Sequence, residues 1–322
     1  MLSPQQLTPY LSAALESTDF KNLGTKYAGK VRDVYTQEQQ NRRFLIATDR
    51  QSAFDIQWCT IPLKGQTLTQ ISAWWFRQVE DIMPTQVIDV PDPNVMIVKS
   101  LDMLPVEIVV RGYLTGSSKT SAWMNYKEGV RSFCGVQLPE GMVKNQQFPS
   151  PILTPTTKGE DDELIDPAGI VDRGLATRQQ WDEIAEKALA LFARGQKLAA
   201  ERSLILVDTK YEMGLDTEGN LTIADEVHTP DSSRYWVAES YAARFERDEE
   251  PESLDKEFFR LWLREQGFEY GGKHPDITDD VRLMLASKYI DLYERITGQA
   301  FELPKDTDTH ARIARNLASY QS

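Results

Sequence analysis

The sequence predicts an α+β fold, and three observations carry that reading. Strand-like apolar runs cluster in the front half of the chain. Two more such runs, at 204–213 and 221–227, are joined by Asp216-Thr217-Glu218-Gly219-Asn220, a hairpin turn by composition. Amphipathic helical runs lie between these groups and fill the remainder, so sheets and helices are partly segregated.

The elements follow in order. Ser3 before Pro4 reads as a helix start, with Leu7, Leu11 and Leu15 at helical spacing across the first 20 residues. Segments 29–35, 43–48 and 55–61 read as strands separated by polar turns. Residues 66–80 form an amphipathic helix with Leu68, Ile71, Trp75 and Val79 inward. Strands at 95–99 and 106–110 flank a short connector holding Asp102 and Pro105. The stretch 135–166 is rich in Pro, Gly, Thr and acids and reads as irregular, a length of loop that is more often functional than decorative. Residues 178–202 are the clearest helix, with Trp181, Ile184, Ala188, Leu191 and Leu198 near one face. Further helices are expected at 254–266 and 278–296.

Composition bounds the function. A chain of 322 residues with 41% hydrophobic and 26% charged residues has the profile of a globular protein, and is long enough for one large or two ordinary domains. Its net charge of −13 repels phosphate backbones and anionic lipid, so no nucleic-acid or membrane partner is expected. Cys59 and Cys134 are too few for a disulfide framework, and His228, His274 and His310 form no metal-ligand spacing. The N-terminal segment has no secretory pattern and no run is apolar enough to span a bilayer, so the expected compartment is the cytoplasm.

Four charged stretches stand out. In Gly29-Lys30-Val31-Arg32, a strand would place Lys30 and Arg32 on one face, where paired cations and an unhindered glycine backbone suit a polyphosphate. Taken alone, the pair also fits an edge strand with solvated charges. Thr48-Asp49-Arg50-Gln51-Ser52-Ala53-Phe54-Asp55 reads as a turn that either orients a substrate or caps structure. Arg111 ends an apolar strand and leads into Gly112-Tyr113-Leu114-Thr115-Gly116-Ser117-Ser118, a loop able to hold an anion through guanidinium, hydroxyl and backbone donors. Finally, Asp208, Lys210 and Glu212 recur with period two on one strand face, and the following strand carries Asp225-Glu226. The hairpin brings Glu212 near Asp225, and adjacent carboxylates without nearby His or Cys suit Mg²⁺. A ladder in which Lys210 neutralises both acids fits the same spacing.

These stretches resemble the SAICAR synthase family, the phosphoribosylaminoimidazole-succinocarboxamide synthases of purine biosynthesis. The matching segments are GKVRDVY (29–35), TDRQSAFD (48–55), VEIVVRGYLTGS (106–117), PTTKGEDDE (155–163), VDTKYEMGLD (207–216) and IADEVHTPDSSRYW (223–236). The resemblance implies a two-lobed, ATP-grasp-like fold, with an N-terminal lobe over 1–104, a C-terminal lobe over 105–322 and ATP between them. It also implies an ATP-dependent ligase that joins the carboxylate of carboxyaminoimidazole ribonucleotide (CAIR) to the amine of L-aspartate through an acyl phosphate.

Site roles follow from the same resemblance. Gly29, Lys30, Arg32 and Met103 would meet ATP, and Glu212 and Asp225 would hold Mg²⁺. Arg111, Ser117, Lys210 and Arg234 would grip the ribonucleotide. Lys210, Asp55 and Asp162 would stand at the reacting groups, with Asp55 or Asp162 as candidate proton acceptor. The loop 155–163 reads Asp161-Asp162 where relatives commonly carry His-Asp. The chain is similar to the family's longer single-function form, which makes a monomer or small homo-oligomer the expected state. A small-molecule kinase or a catalytically silent nucleotide-binding module are the rival readings.

Overall fold

A computed structural model describes residues 2–54, 56–159, 162–269 and 272–321. Its architecture is α+β, with antiparallel sheets and flanking helices. The N-terminal helix α1 stops early, at Pro4–Leu7. Pro9 explains the stop, because its ring excludes a continuing helical ladder. The chain beyond is pinned instead to Asp49, whose carboxylate accepts the Leu15 N–H at 2.7 Å while Leu15 O accepts the Asp49 N–H at 2.7 Å.

The first sheet has the order β1 (Thr25–Ala28), β2 (Arg32–Gln37), β3 (Arg42–Ala47), β7 (Val95–Lys99), β6 (Val87–Asp92). The segment 29–35 is therefore not one strand. Gly29 N–H donates to Arg32 O at 2.8 Å, closing a hairpin whose turn is Lys30-Val31. The stretch read as a turn after β3 is instead a small hairpin, β4 (Arg50–Ala53) with β5 (Ile56–Thr60). Buried charges misled the reading there, since they are neutralised by distant partners: Arg50 reaches Asp33 at 2.9 Å.

The second sheet is built on two long strands, β8 (Asp102–Tyr113) and β13 (Leu204–Leu215). The supposed connector around Asp102 and Pro105 is thus the start of β8. The edge of β8 takes β11 (Gln147–Leu153) and β12 (Thr156–Thr157), so the stretch 135–166 is only partly irregular. Strand β13 pairs on its other side with β14 (Leu221–Ala224) and β15 (Ser233–Val237). Short pieces complete this region: α3 (Ala122–Lys127), the ribbon of β9 (Ser132–Phe133) with β10 (Val136–Gln137), and α4 (Pro167–Asp172).

Helix α2 (Lys64–Val79) buries Leu68, Ile71, Trp75 and Val79 as its periodicity requires. Helix α5 (Arg178–Ala200) packs on β13 through Trp181, Ile184, Ala188 and Leu191, with Leu198 half-buried. Helices α6 (Ala238–Glu246), α7 (Glu257–Glu265), α8 (Asp279–Thr297) and α9 (Thr309–Asn316) follow. Period-two alternation splits the core across the first sheet: Met96 and Val98 join the main core with α2, α5 and α8. Phe44, Ile46, Val95 and Ile97 face the other way, onto Phe20 and Ile313 and Leu317 of the C-terminal segment. No helix among the described residues is long and apolar enough to cross a membrane.

Candidate active site

The hairpin turn Lys30-Val31 is held from beneath. Arg50 donates to Gly29 O at 2.9 Å and to Lys30 O at 3.2 Å, and Thr48 donates to Val31 O at 3.0 Å through N–H and 2.8 Å through its hydroxyl. The motif 48–55 is therefore largely a brace for this turn. Asp49 caps the first turn of α2 by accepting the Gly65 N–H at 2.8 Å, and burial pushes its carboxyl up to about 6. Gly29 uses its N–H within the hairpin, leaving Lys30 as the group the turn presents.

Register across the second sheet lines up the candidate anion-binding cations. Asp208 on β13 faces Arg111 on β8 and Arg234 on β15. Arg234 Nη1 lies 2.6 Å from Asp208 Oδ2, and Arg111 Nη1 lies 3.6 Å from the same oxygen. Arg234 has a second acid in Glu257, at 3.4 Å, yet its Nε is buried without a partner among the described residues. Gly116 permits this packing. It sits at φ +102°, and a Cβ there would lie 2.6 Å from Ser121 Cβ and 3.1 Å from Arg234 Nη2. Ser117 donates to Glu257 Oε1 at 2.5 Å.

Two residues along β13, Lys210 reaches Glu107 Oε1 at 2.6 Å and Glu212 Oε1 at 3.0 Å. Burial works against its charge, but Glu212 and Glu107 outweigh burial and hold the ammonium above its ordinary range. Glu212 also pairs with Lys158. Burial alone would raise the Glu212 carboxyl, yet Lys210 and Lys158 pull it down to about 2. Glu212 faces Ala224 in the β13–β14 ladder, so Asp225 is the next residue beyond the pair. Asp225 adopts φ +57°, a left-handed conformation that Asp tolerates, and its carboxylate pairs with Arg32. Arg32 Nη2 also lies 2.6 Å from Glu226 Oε2.

Behind β13, on the opposite face, a buried network fixes these strands. Tyr211 Oη and His228 Nε2 share a 2.5 Å hydrogen bond, and Tyr235 Oη donates to His228 O at 2.7 Å. Burial pushes the imidazole down to about 3, so it is neutral.

A cavity of about 380 Å³ brings together Lys30, Arg111, Asp162, Lys210 and Arg234. Arg32 and Asp225 line a small niche with Leu45, Leu68 and Met96. Glu212 joins the cavity group through Lys210, and Ser117 through Glu257 and Arg234. Met103 is not with them: it lies in β8 and lines a separate depression of about 580 Å³ beside Arg178 and Leu215. Asp55 and Asp161 lie outside the described residues.

Several groups in and beside the cavity escaped the sequence reading. Glu107 is one half of the Lys210 cradle. Lys64, fully buried, binds Asp231 at 2.8 Å and so ties α2 to the loop before β15. Lys256 and Arg260 enter from α7 and the residue before it. The available signal was a like-charged i,i+4 pair beside the buried Phe259 and Leu263, which is unfavourable unless an anion or acid answers it.

The family model for SAICAR synthetase matches residues 25–277. The chain is 49% identical over 280 residues to a phosphoribosylaminoimidazole-succinocarboxamide synthase of Legionella pneumophila (strain Lens), covering 86% of this chain and 89% of that one. The structure matches a SAICAR synthase from Saccharomyces cerevisiae in complex with SAICAR, at TM-score 0.78 and 31% identity over 90% of this chain and 100% of that chain. It also matches a type-2 SAICAR synthetase in complex with ADP, at TM-score 0.66 and 26% identity over 87% of this chain and 100% of that one. The chain belongs to the SAICAR synthetase family.

Proposed function

We propose that this chain joins the carboxylate of CAIR to the amine of L-aspartate, converting ATP to ADP and phosphate in purine biosynthesis. The observation that carries the reading is one cavity lined by Lys30, Lys210 and the Arg111–Arg234 pair, in a chain of this ligase family. The reaction gathers a triphosphate, a ribonucleotide phosphate, an imidazole carboxylate and an amino-dicarboxylate, and such cations offset their mutual repulsion. A carboxylate oxygen attacks the γ-phosphorus, the bond to the ADP oxygen breaks, and an acyl phosphate forms. The aspartate amine then attacks the carbonyl carbon, and phosphate leaves with the former carboxylate oxygen.

Within this reading Arg111, Arg234 and Ser117 take the ribonucleotide phosphate, and Lys30 and Arg32 meet the ATP phosphates. Lys210 stands between the two, and Asp162 faces the cavity as candidate proton acceptor. The donor set fits Mg²⁺. Glu212, on β13, and Asp225, just past the end of β14, offer oxygen only, and each is answered by a cation. Glu212 and Asp225 would hold the ion, which when bound neutralises charge on the transferring phosphoryl group.

The test is ADP release with MgATP, CAIR and L-aspartate, omitting each in turn. Release that needs all three, with a product of succinocarboxamide mass, supports the ligase. Release indifferent to aspartate would mark a kinase instead.

A further inference from the structure

Two cations of the cavity, Lys256 and Arg260, have no role in the proposed reaction so far. Lys256 immediately precedes α7, and its side chain is only 14% exposed. Its contacts are long: Ser52 Oγ at 3.4 Å and Asp231 Oδ2 at 4.0 Å. Asp231 is already committed, to Lys64 at 2.8 Å and to the Tyr289 hydroxyl at 2.7 Å. Neighbouring cations are better served, Arg260 by Glu257 at 3.1 Å, Arg234 by Asp208 and Lys210 by two glutamates. A buried ammonium with three donors and no carboxylate at bonding distance among the described residues is costly unless an anion completes it.

We propose that Lys256 binds a carboxylate of the incoming amino-dicarboxylate, L-aspartate. A carboxylate is the better match than a phosphate, because its single charge is repelled less by Asp231, 4.0 Å from the ammonium, than a dianion would be. The ribonucleotide phosphate already has the Arg111–Arg234 pair and its orphan Nε donor. The inference rests on the ligase reading and names the subsite of its amine substrate.

Electrostatics supply a readout. Burial brings the Lys256 ammonium down to about 8; Asp231 and Glu226 favour its charge, while Arg260 and Lys64 oppose it. A carboxylate ligand needs the charged form, so binding is full below pH 8 and lost as pH rises through it. Succinate is the probe, since it carries both carboxylates and no amine whose own titration would interfere. Its inhibition is measured against L-aspartate at saturating MgATP and CAIR. In the wild type, succinate should weaken by about tenfold per pH unit above 8. Lys256→Met should weaken succinate and raise the aspartate KM by about ten- to hundredfold at pH 7, with no pH dependence left near 8 and unchanged KM for ATP and CAIR. Lys256→Arg should keep succinate binding at pH 9.

Succinate inhibition flat with pH in an active wild type overturns the inference and leaves the ligase reading standing. So does a Lys256→Met enzyme whose CAIR KM rises as much as its aspartate KM. The wild-type pH series and Lys256→Arg decide the matter even where Lys256→Met fails to fold. No succinocarboxamide from the wild type would overturn both readings.

Discussion

Arg234 and Asp208 face each other across β15 and β13, with Nη1 2.6 Å from Oδ2. Their pairing organises one end of the cavity, because Arg111 approaches the same oxygen from the opposite strand. Burial, with Arg234 beside it, brings the Arg111 guanidinium down to about 10, against the pull of Asp208. Removing one guanidinium should remove anion affinity locally. Arg234→Ala is expected to raise the CAIR KM by about ten- to hundredfold, the effect of one lost charge-assisted contact, while ATP binding is retained. Separate titrations with each substrate check it, and equal loss of both affinities would contradict the assignment.

Glu212 and Asp225 should set the magnesium requirement. Glu212→Gln and Asp225→Asn are each expected to shift the Mg²⁺ activation curve to higher concentration and lower turnover. Unchanged magnesium titrations would remove these carboxylates from the metal site.

Lys64 and Asp231 form a buried pair at 2.8 Å, with Lys64 fully enclosed at the start of α2. Lys64→Met leaves the Asp231 carboxylate without its ammonium, and losing one partner of a buried pair costs about 3–5 kcal/mol. Urea unfolding measures this. Adding Asp231→Asn to Lys64→Met should recover part of the loss, since no uncompensated charge then remains.

Glu257 supplies a pH signature. Burial opposes its charge, but Arg234 and Arg260 outweigh burial and, with the Ser117 hydroxyl, bring its carboxyl down to about 2. A carboxyl whose folded value is depressed stabilises the fold above its ordinary value near 4.5, and that stability is lost as pH falls toward 2. Glu257→Gln should therefore be less stable than the wild type by roughly 2–3 kcal/mol at neutral pH, with the gap closing in acid. A constant gap across the acid range would contradict the charge pairing.

Much of the frame was legible because local pattern and tertiary context agree. Helix α2 is amphipathic and buries Leu68, Ile71, Trp75 and Val79, and the turn at 216–220 set the β13–β14 hairpin that places Glu212 beside Ala224 and Asp225. The period-two charges of β13 put Lys210 between carboxylates, and the salt-bridge ladder weighed for that strand is present with Glu107 as its second acid. What escaped depended on distant partners. The turn Lys30-Val31 has no Gly or Asn to mark it and is held by Arg50 and Thr48. Charged β4 is buried only because Asp33 and Lys64 answer Arg50 and its neighbours. Lys256, just before α7, and Arg260 on it read as a solvated polar side, until Ser52 and Asp231 approach Lys256 from elsewhere in the chain. Helix α9 finds its apolar partners in the far face of the first sheet, a contact invisible to local spacing.

The central claim is that the cavity joins the ATP γ-phosphate to the imidazole carboxylate before the amine attacks. Oxygen-isotope transfer tests it most directly, with CAIR labelled by ¹⁸O in its carboxylate and turnover run with MgATP and L-aspartate. One ¹⁸O is expected in the released inorganic phosphate and one retained in the amide product. Unlabelled phosphate, formed at the same rate as the succinocarboxamide, would contradict it.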